Sequence, residues 1–352
     1  MSGMRTTLAA LGMSALFAVS ASGQTTSGPD TERAFRLIGG ESPKAIEEIA
    51  YVAGSVTELP KLPVDAGKAT ITVAGSPDQI ALAAWVIGEL DQPTKAAGLT
   101  YSPPGGADSV ARMFYLAHMS APQQPQELVN VIRSMTEIRP IVSYNPAKAI
   151  ILRGTHAQVE QAEWIVKGLD LAPDQALPPV AATQVAVPPG STLQSADARA
   201  YHAKHNQARI FYLKNNETPQ QVQEMVNALR SATEMQRITT FAALRAICVL
   251  GTESQAATSE WLVNELEKPT PQAAAEDRYY ITPEMATADG EVRVFFVPSI
   301  QTAEATQHVV NLIRRAGVQR ITAFNSAKAI VIRGTTGQVA AAEQAVQQFA
   351  EK

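Results

Sequence analysis

The feature that most constrains the fold is a phrase that returns along the chain. Lys148 to Gly154 reads KAIILRG and leads into THAQ, Thr155 to Gln158. Near the C-terminus Lys328 to Gly334 reads KAIVIRG and leads into TTGQ, Thr335 to Gln338. A third copy runs from Arg245 to Gly251 and on to Gln255; a fainter one runs from Ala69 to Gly75 and on to Gln79. Each joins an apolar strand, a glycine and a helix start of the hydroxyl-x-x-Gln type that forms a capping box. The recurrence extends outward: Phe114, Asn130, Arg133, Gly154 and Trp164 return at one common offset as Phe211, Asn227, Arg230, Gly251 and Trp261. Phe295, Asn311 and Arg314 repeat the first three of these again. Such periodicity specifies an array of one supersecondary unit.

Each unit reads strand, helix, strand, strand, helix. In the second, Arg112 to Leu116 is a strand. Leu128, Val131, Ile132 and Met135 form the apolar stripe of a helix, and Asn145-Pro146 turns the chain between two further strands. The third strand is almost wholly apolar, as a central strand buried on at least one face is, and the sheet's other face is expected to stay open. The expected fold is α+β: four tandem β-α-β-β-α units, each a three-stranded sheet of order 1-3-2 with two helices on one face, joined by Pro-rich linkers. Repeat one spans 34–92, repeat two 110–172, repeat three 208–268 and repeat four 291–352, with linkers at 173–207 and 269–290. Tyr279 to Ile281 within the last linker has the composition of a short strand. A unit of about 60 residues has a marginal core and gains from packing on neighbours. The reading is of four units with separate cores on flexible linkers. Residues 1–23 read as a signal peptide, Arg5 preceding the apolar run Leu8 to Val19 and small residues following.

The chemistry a catalyst needs is missing from the pattern. His118, His156, His202, His205 and His308 fall at unrelated repeat positions, and no Gly-rich phosphate loop or nucleophile elbow occurs. His202-x-x-His205 has helical metal spacing without an adjoining acid or cysteine, so no metal, cofactor or catalytic residue is assigned. The lone Cys248 lies in an apolar strand and reads as core. The strand–helix arrangement is similar to that of KH modules, but those need a G-x-x-G loop with basic flanks. A net charge of −4 gives no global field for nucleic acid or anionic membrane.

Repeats two to four resemble the small N-terminal, ring-building domains of bacterial secretins. The resemblance rests on Tyr144-Asn-Pro146, Ala149 to Leu152, the Thr155-to-Gln158 cap, and a helix ending in Leu169-Asp170 with Pro173 beyond; Leu90-Asp91 and Pro93 close repeat one similarly. It implies a non-enzymatic periplasmic module that packs into rings or docks on partners. Those partners would be a secretin or another envelope secretion or type IV pilus component, or further copies of the chain. The long alternating strands of the secretin channel domain do not occur, which favours an accessory or scaffold role, outer-membrane associated only through a partner. The alternative is a soluble periplasmic binder of a small envelope ligand.

Candidate interface residues come from the repeats themselves. Asn130 and Arg133, Asn227 and Arg230, and Asn311 and Arg314 share one outward side of the first helix in each unit. The arginines also suit a helix C-terminus electrostatically. Trp85, Trp164 and Trp261 sit at one position of the second helix, away from the arc set by Val159, Ala162, Ile165, Val166 and Leu169. Repeat four has Gln344 there, as a polar terminal unit in a stacked array would. The tryptophans are expected to dock on a neighbouring repeat, a linker or another subunit.

Overall fold

The computed structural model describes residues 31–39, 42–92, 98–103, 109–172, 175, 177, 180–184, 196–268, 278–281 and 290–350. The signal peptide expected at 1–23 lies outside them. Repeat one comprises β1 (Thr31–Arg36), α1 (Pro43–Thr57), β2 (Val64–Asp65), β3 (Thr70–Gly75) and α2 (Pro77–Leu90). Repeat two adds β4 (Leu99–Tyr101) before β5 (Val110–Tyr115), α3 (Gln124–Thr136), β6 (Ile141–Tyr144), β7 (Ala149–Gly154) and α4 (His156–Leu169). Repeat three holds β8 (Val180–Gln184), α5 (Ala196–Lys204), β9 (Gln207–Tyr212), α6 (Pro219–Thr233), β10 (Arg237–Phe241), β11 (Ala246–Gly251) and α7 (Glu253–Leu266). Repeat four holds β12 (Arg278–Ile281), β13 (Glu291–Phe296), α8 (Ala303–Arg315), β14 (Arg320–Phe324), β15 (Ala329–Gly334) and α9 (Thr336–Ala350).

The sheets are antiparallel, and in each the last strand of the unit lies between the first and second, giving β1-β3-β2 and its equivalents. Local chemistry fixes the joints between elements. Ser76, Thr155 and Thr252 close capping boxes with Gln79, Gln158 and Gln255. The same glutamines reach back to Thr57 O, Thr136 O and Thr233 O at 3.2, 2.9 and 3.0 Å. One side chain therefore caps the second helix and pins the end of the first. The glycine of the phrase is required by this crowding. At Gly251 a Cβ would lie 2.7 Å from Gln255 Oε1 and 2.8 Å from Met235 Cε. The Leu-Asp ending has a similar purpose. Asp91 accepts from the N–H groups of Ile38 and Gly39, Asp170 from those of Ala117 and His118, and Glu267 from those of Lys214 and Asn215.

Two expectations are corrected. Segments read as plain linkers supply a fourth strand to two sheets, β4-β5-β7-β6 and β8-β9-β11-β10; the fourth strand of β12-β13-β15-β14 contains the Tyr279-to-Ile281 segment read as a short strand. Only repeat one keeps three strands among the described residues. The cores are also not separate, and in repeats two to four the second sheet face is not open. Side chains alternate across a strand: Ile150 and Leu152 point into their own unit, while Ala149 and Ile151 join a core with α1 of repeat one. Ala246, Cys248 and Leu250 of β11 likewise join repeat two, and Ala329 and Val331 of β15 join repeat three. The first helix of repeats one to three is thus buried on two sides, by its own sheet and by the sheet of the next. An apolar sheet face exposed on a linker-borne bead would be costly, and stacking removes it from water.

Candidate packing interface

The joint between consecutive units is the most elaborate site in the molecule. Its apolar centre is the outward sheet face described above, and its rim is polar. The first helix of repeats one to three ends in Thr-Glu: Thr57-Glu58, Thr136-Glu137 and Thr233-Glu234. Each threonine hydroxyl donates to the carbonyl four residues back at 2.7 Å. Each glutamate then adopts the left-handed conformation, with φ of 57°, 61° and 57°. That region is unfavourable for a residue with a side chain, and here it aims the carboxylate at the following unit. Glu58 pairs with Arg153, Glu137 with Arg237, and Glu234 with Arg320 and Arg333. Arg333 is buried, and its guanidinium also donates to Ala232 O at 3.1 Å.

A second acidic contact flanks the joint. Glu127 accepts from the N–H of Ala242 at 2.7 Å, and Glu224 accepts from the N–H and hydroxyl of Ser326 at 3.2 and 2.9 Å. Between repeats two and three Gly168 permits a close approach, since a Cβ there would meet Ile210 Cδ1 at 2.8 Å. Tyr212 there donates its hydroxyl to Gly168 O at 2.7 Å. Burial pushes the Tyr212 phenol up to about 12, and it pushes the Cys248 thiol up to about 12 as well. Cys248 is fully buried in this joint.

The residues singled out in the sequence are not gathered into one site. Asn130, Arg133, Asn227, Arg230, Asn311 and Arg314 lie exposed on the first helices. Arg133 donates to Ile141 O at 3.2 Å, on the adjacent strand; Gln223 donates to Asn227 at 3.1 Å, and Gln307 to Asn311 at 3.0 Å. The tryptophans are half-buried, one in each of the first three units, instead of standing on a solvent face. Trp85 lies against Tyr101 of β4, ring centroids 5.7 Å apart. Trp164 packs on the core that repeats two and three share, as do Leu171 and Leu177 of the following segment. Trp261 and Val180 pack on the core that repeats three and four share. His202 and His205 diverge: the first lies 3.4 Å from Glu137, and the second stacks on Tyr201. The residues that sequence reasoning missed are the glutamates and arginines of the joint. The recurring Thr-Glu dipeptide was the available signal.

No protein-family model matches the chain, and no curated relative does. Among solved structures it is similar to the N-terminal domain of the secretin XcpQ from Pseudomonas aeruginosa. The identity is 13%, over 45% of this chain and 62% of that one, with a TM-score of 0.18. Aeromonas hydrophila ExeD matches at 13% identity over 71% of this chain and 42% of that, TM-score 0.16. The ETEC pilotin–secretin complex AspS–GspD matches at 12% over 86% and 58%, TM-score 0.16. The chain thus spans between 42% and 62% of the length of these relatives. At these TM-scores the overlaps carry no argument, and the fold stands on the strand order and packing described above.

Proposed function

We propose that the chain is a non-enzymatic packing scaffold, an accessory subunit of an envelope secretion or type IV pilus machine that acts in the periplasm through domain and subunit contacts. The observation that carries this reading is the joint. Three times the chain commits a strained glutamate, an arginine and a whole apolar sheet face to contact between units. The sequence resemblance to ring-building domains supplies the setting, and the expected signal peptide supplies the compartment. No helix among the described residues is long and apolar enough to cross a membrane. The exposed Asn130–Arg133 column and its copies at Asn227–Arg230 and Asn311–Arg314 are the surfaces for lateral contact with a partner or another copy.

The test combines capture and mass. Cross-linking in intact envelopes should join the chain to a secretin or pilus component, and Arg230→Glu should reduce that yield or change the oligomer mass by light scattering. Recovery of neither component, with a ligand-induced rise in melting temperature, would replace the scaffold reading with that of a small-ligand binder.

A further inference from the structure

Repeat one lacks two things that its siblings have. In the other sheets the outer edge of the first strand is paired. Thr100 of β4 lies opposite Arg112, Ala182 of β8 opposite Arg209, and Tyr279 of β12 opposite Arg293. Among the described residues β1 has no such partner, and all of it but Phe35 is exposed. In the other sheets, too, this arginine meets a glutamate of the second helix. Arg112 lies 2.9 Å from Glu163, Arg209 3.8 Å from Glu260, and Arg293 2.7 Å from Glu343. Repeat one keeps the arginine, Arg33, with its guanidinium 5.0 Å from the Phe35 ring centroid. Ala84 stands where the glutamate would be, and no described carboxylate is paired with Arg33.

The space beside β1 is correspondingly open. Ala84 and Gly88 of α2 are small where repeat two has Glu163 and Lys167. They line a cleft of about 750 Å³ that runs along β1, with Tyr144 and Pro146 of repeat two also in its wall. The free backbone groups follow from the ladder. Leu37 N–H donates to Ala69 O at 2.8 Å, continuing the β1–β3 pairing. By the two-residue period of an antiparallel pair, Phe35 and Arg33 bond inward, and Glu32, Ala34 and Arg36 aim their N–H and C=O groups at the open edge.

We propose that this edge takes a fourth strand from another protein: an extended antiparallel segment carrying an aspartate or glutamate opposite Arg33. The three filled siblings show the mode, which is strand addition. The residues opposite their arginines are uncharged, and a helix glutamate meets each guanidinium; at repeat one the incoming strand supplies that carboxylate. The inference does not depend on the secretion reading, since it concerns which peptide the edge accepts.

The probe is a fluorescent peptide of the chain's own 180–184 strand carrying Ala182→Glu, compared with the unsubstituted and Ala182→Lys peptides, in anisotropy titrations of the full chain. The acidic peptide should bind roughly three- to fivefold tighter than the unsubstituted one, the range of a partly exposed ion pair. The lysine peptide should bind most weakly. Arg33→Ala should erase these differences. Ala34→Pro should abolish binding of every peptide while leaving the circular dichroism intact, because it removes only an edge-facing N–H. Equal affinities for the acidic and lysine peptides would overturn the proposal, as would binding that survives Ala34→Pro or no binding to the full chain. Binding that appears only after residues 1–30 are removed would overturn it in favour of the chain's own N-terminal residues.

Discussion

Replacing Ile151 by alanine separates stacked units from beads on a string. Ile150 and Ile151 are adjacent on β7 and both are 0% exposed, but they face opposite ways. Ile150 belongs to the core of α3 and α4, and Ile151 to the core that holds Ile46 and Ile49 of α1, in the previous repeat. Either substitution deletes three carbons, a transfer loss of about 2.4 kcal/mol. The residual cavity raises this to ~3–4 kcal/mol, within the range found for buried isoleucine truncations. Were repeat two an independent bead, Ile151 would sit on a solvated sheet face and its loss would change stability by less than ~0.5 kcal/mol. The readout is urea unfolding of a chain whose only tryptophan is Trp85, obtained with Trp164→Phe and Trp261→Phe. Trp85 lies in repeat one, so Ile151→Ala should move its fluorescence midpoint although the substitution is in repeat two. A Trp85 transition that stays fixed, while Ile150→Ala destabilises repeat two, would refute the shared core.

Glu234→Ala strips the carboxylate from Arg320 and from buried Arg333, and should cost ~1–3 kcal/mol in urea unfolding; a double-mutant cycle with Arg333→Ala should show coupling. Gly251→Ala forces a methyl against Gln255 and Met235 and should cost ~1–3 kcal/mol, partly recovered by Met235→Ala. The folded Cys248 thiol titrates near 12, above its ordinary 9.0, so the unfolded chain releases that proton first. The contribution is complete below pH 9 and falls as pH rises from there to about 12; stability of Cys248→Ala should decline less steeply over that interval.

The repeat, the strand order and the caps were legible because they depend on contacts close in sequence. Ser76 and Gln79, or Thr155 and Gln158, are three residues apart, and the pattern names the bond. The near-continuous apolarity of Ala149 to Leu152 also held the answer to the open face, since an alternating strand would have served one-sided burial. It was read as burial on at least one side. The fourth strand of repeat two escaped because β4 is a three-residue strand, too short for a period to show, whereas that of repeat four was legible in the composition of Tyr279 to Ile281. The Glu–Arg pairs escaped because their members lie in different repeats, and because the left-handed glutamates occupy positions where glycine would have announced the turn. The tryptophans were placed by angle around one helix, which gives a direction but not the group met there, such as Tyr101 of β4 beside Trp85.

The joint has a consequence for how such a chain can change over generations. Arg153 and Arg333 occupy one position on the central strand, and repeat three has Leu250 there. Its guanidinium comes instead from Arg237, directly across the ladder from Leu250. Repeat four has arginines on both strands, Arg320 facing Arg333. The charge arrives beside the incoming glutamate in every case, although the residue that delivers it has moved. Duplication copies units, whereas selection acts on the meeting of one unit with the next, so an arginine can migrate between strands as long as each meeting stays neutralised. The heritable module of this molecule is the boundary, half of it encoded in each of two repeats.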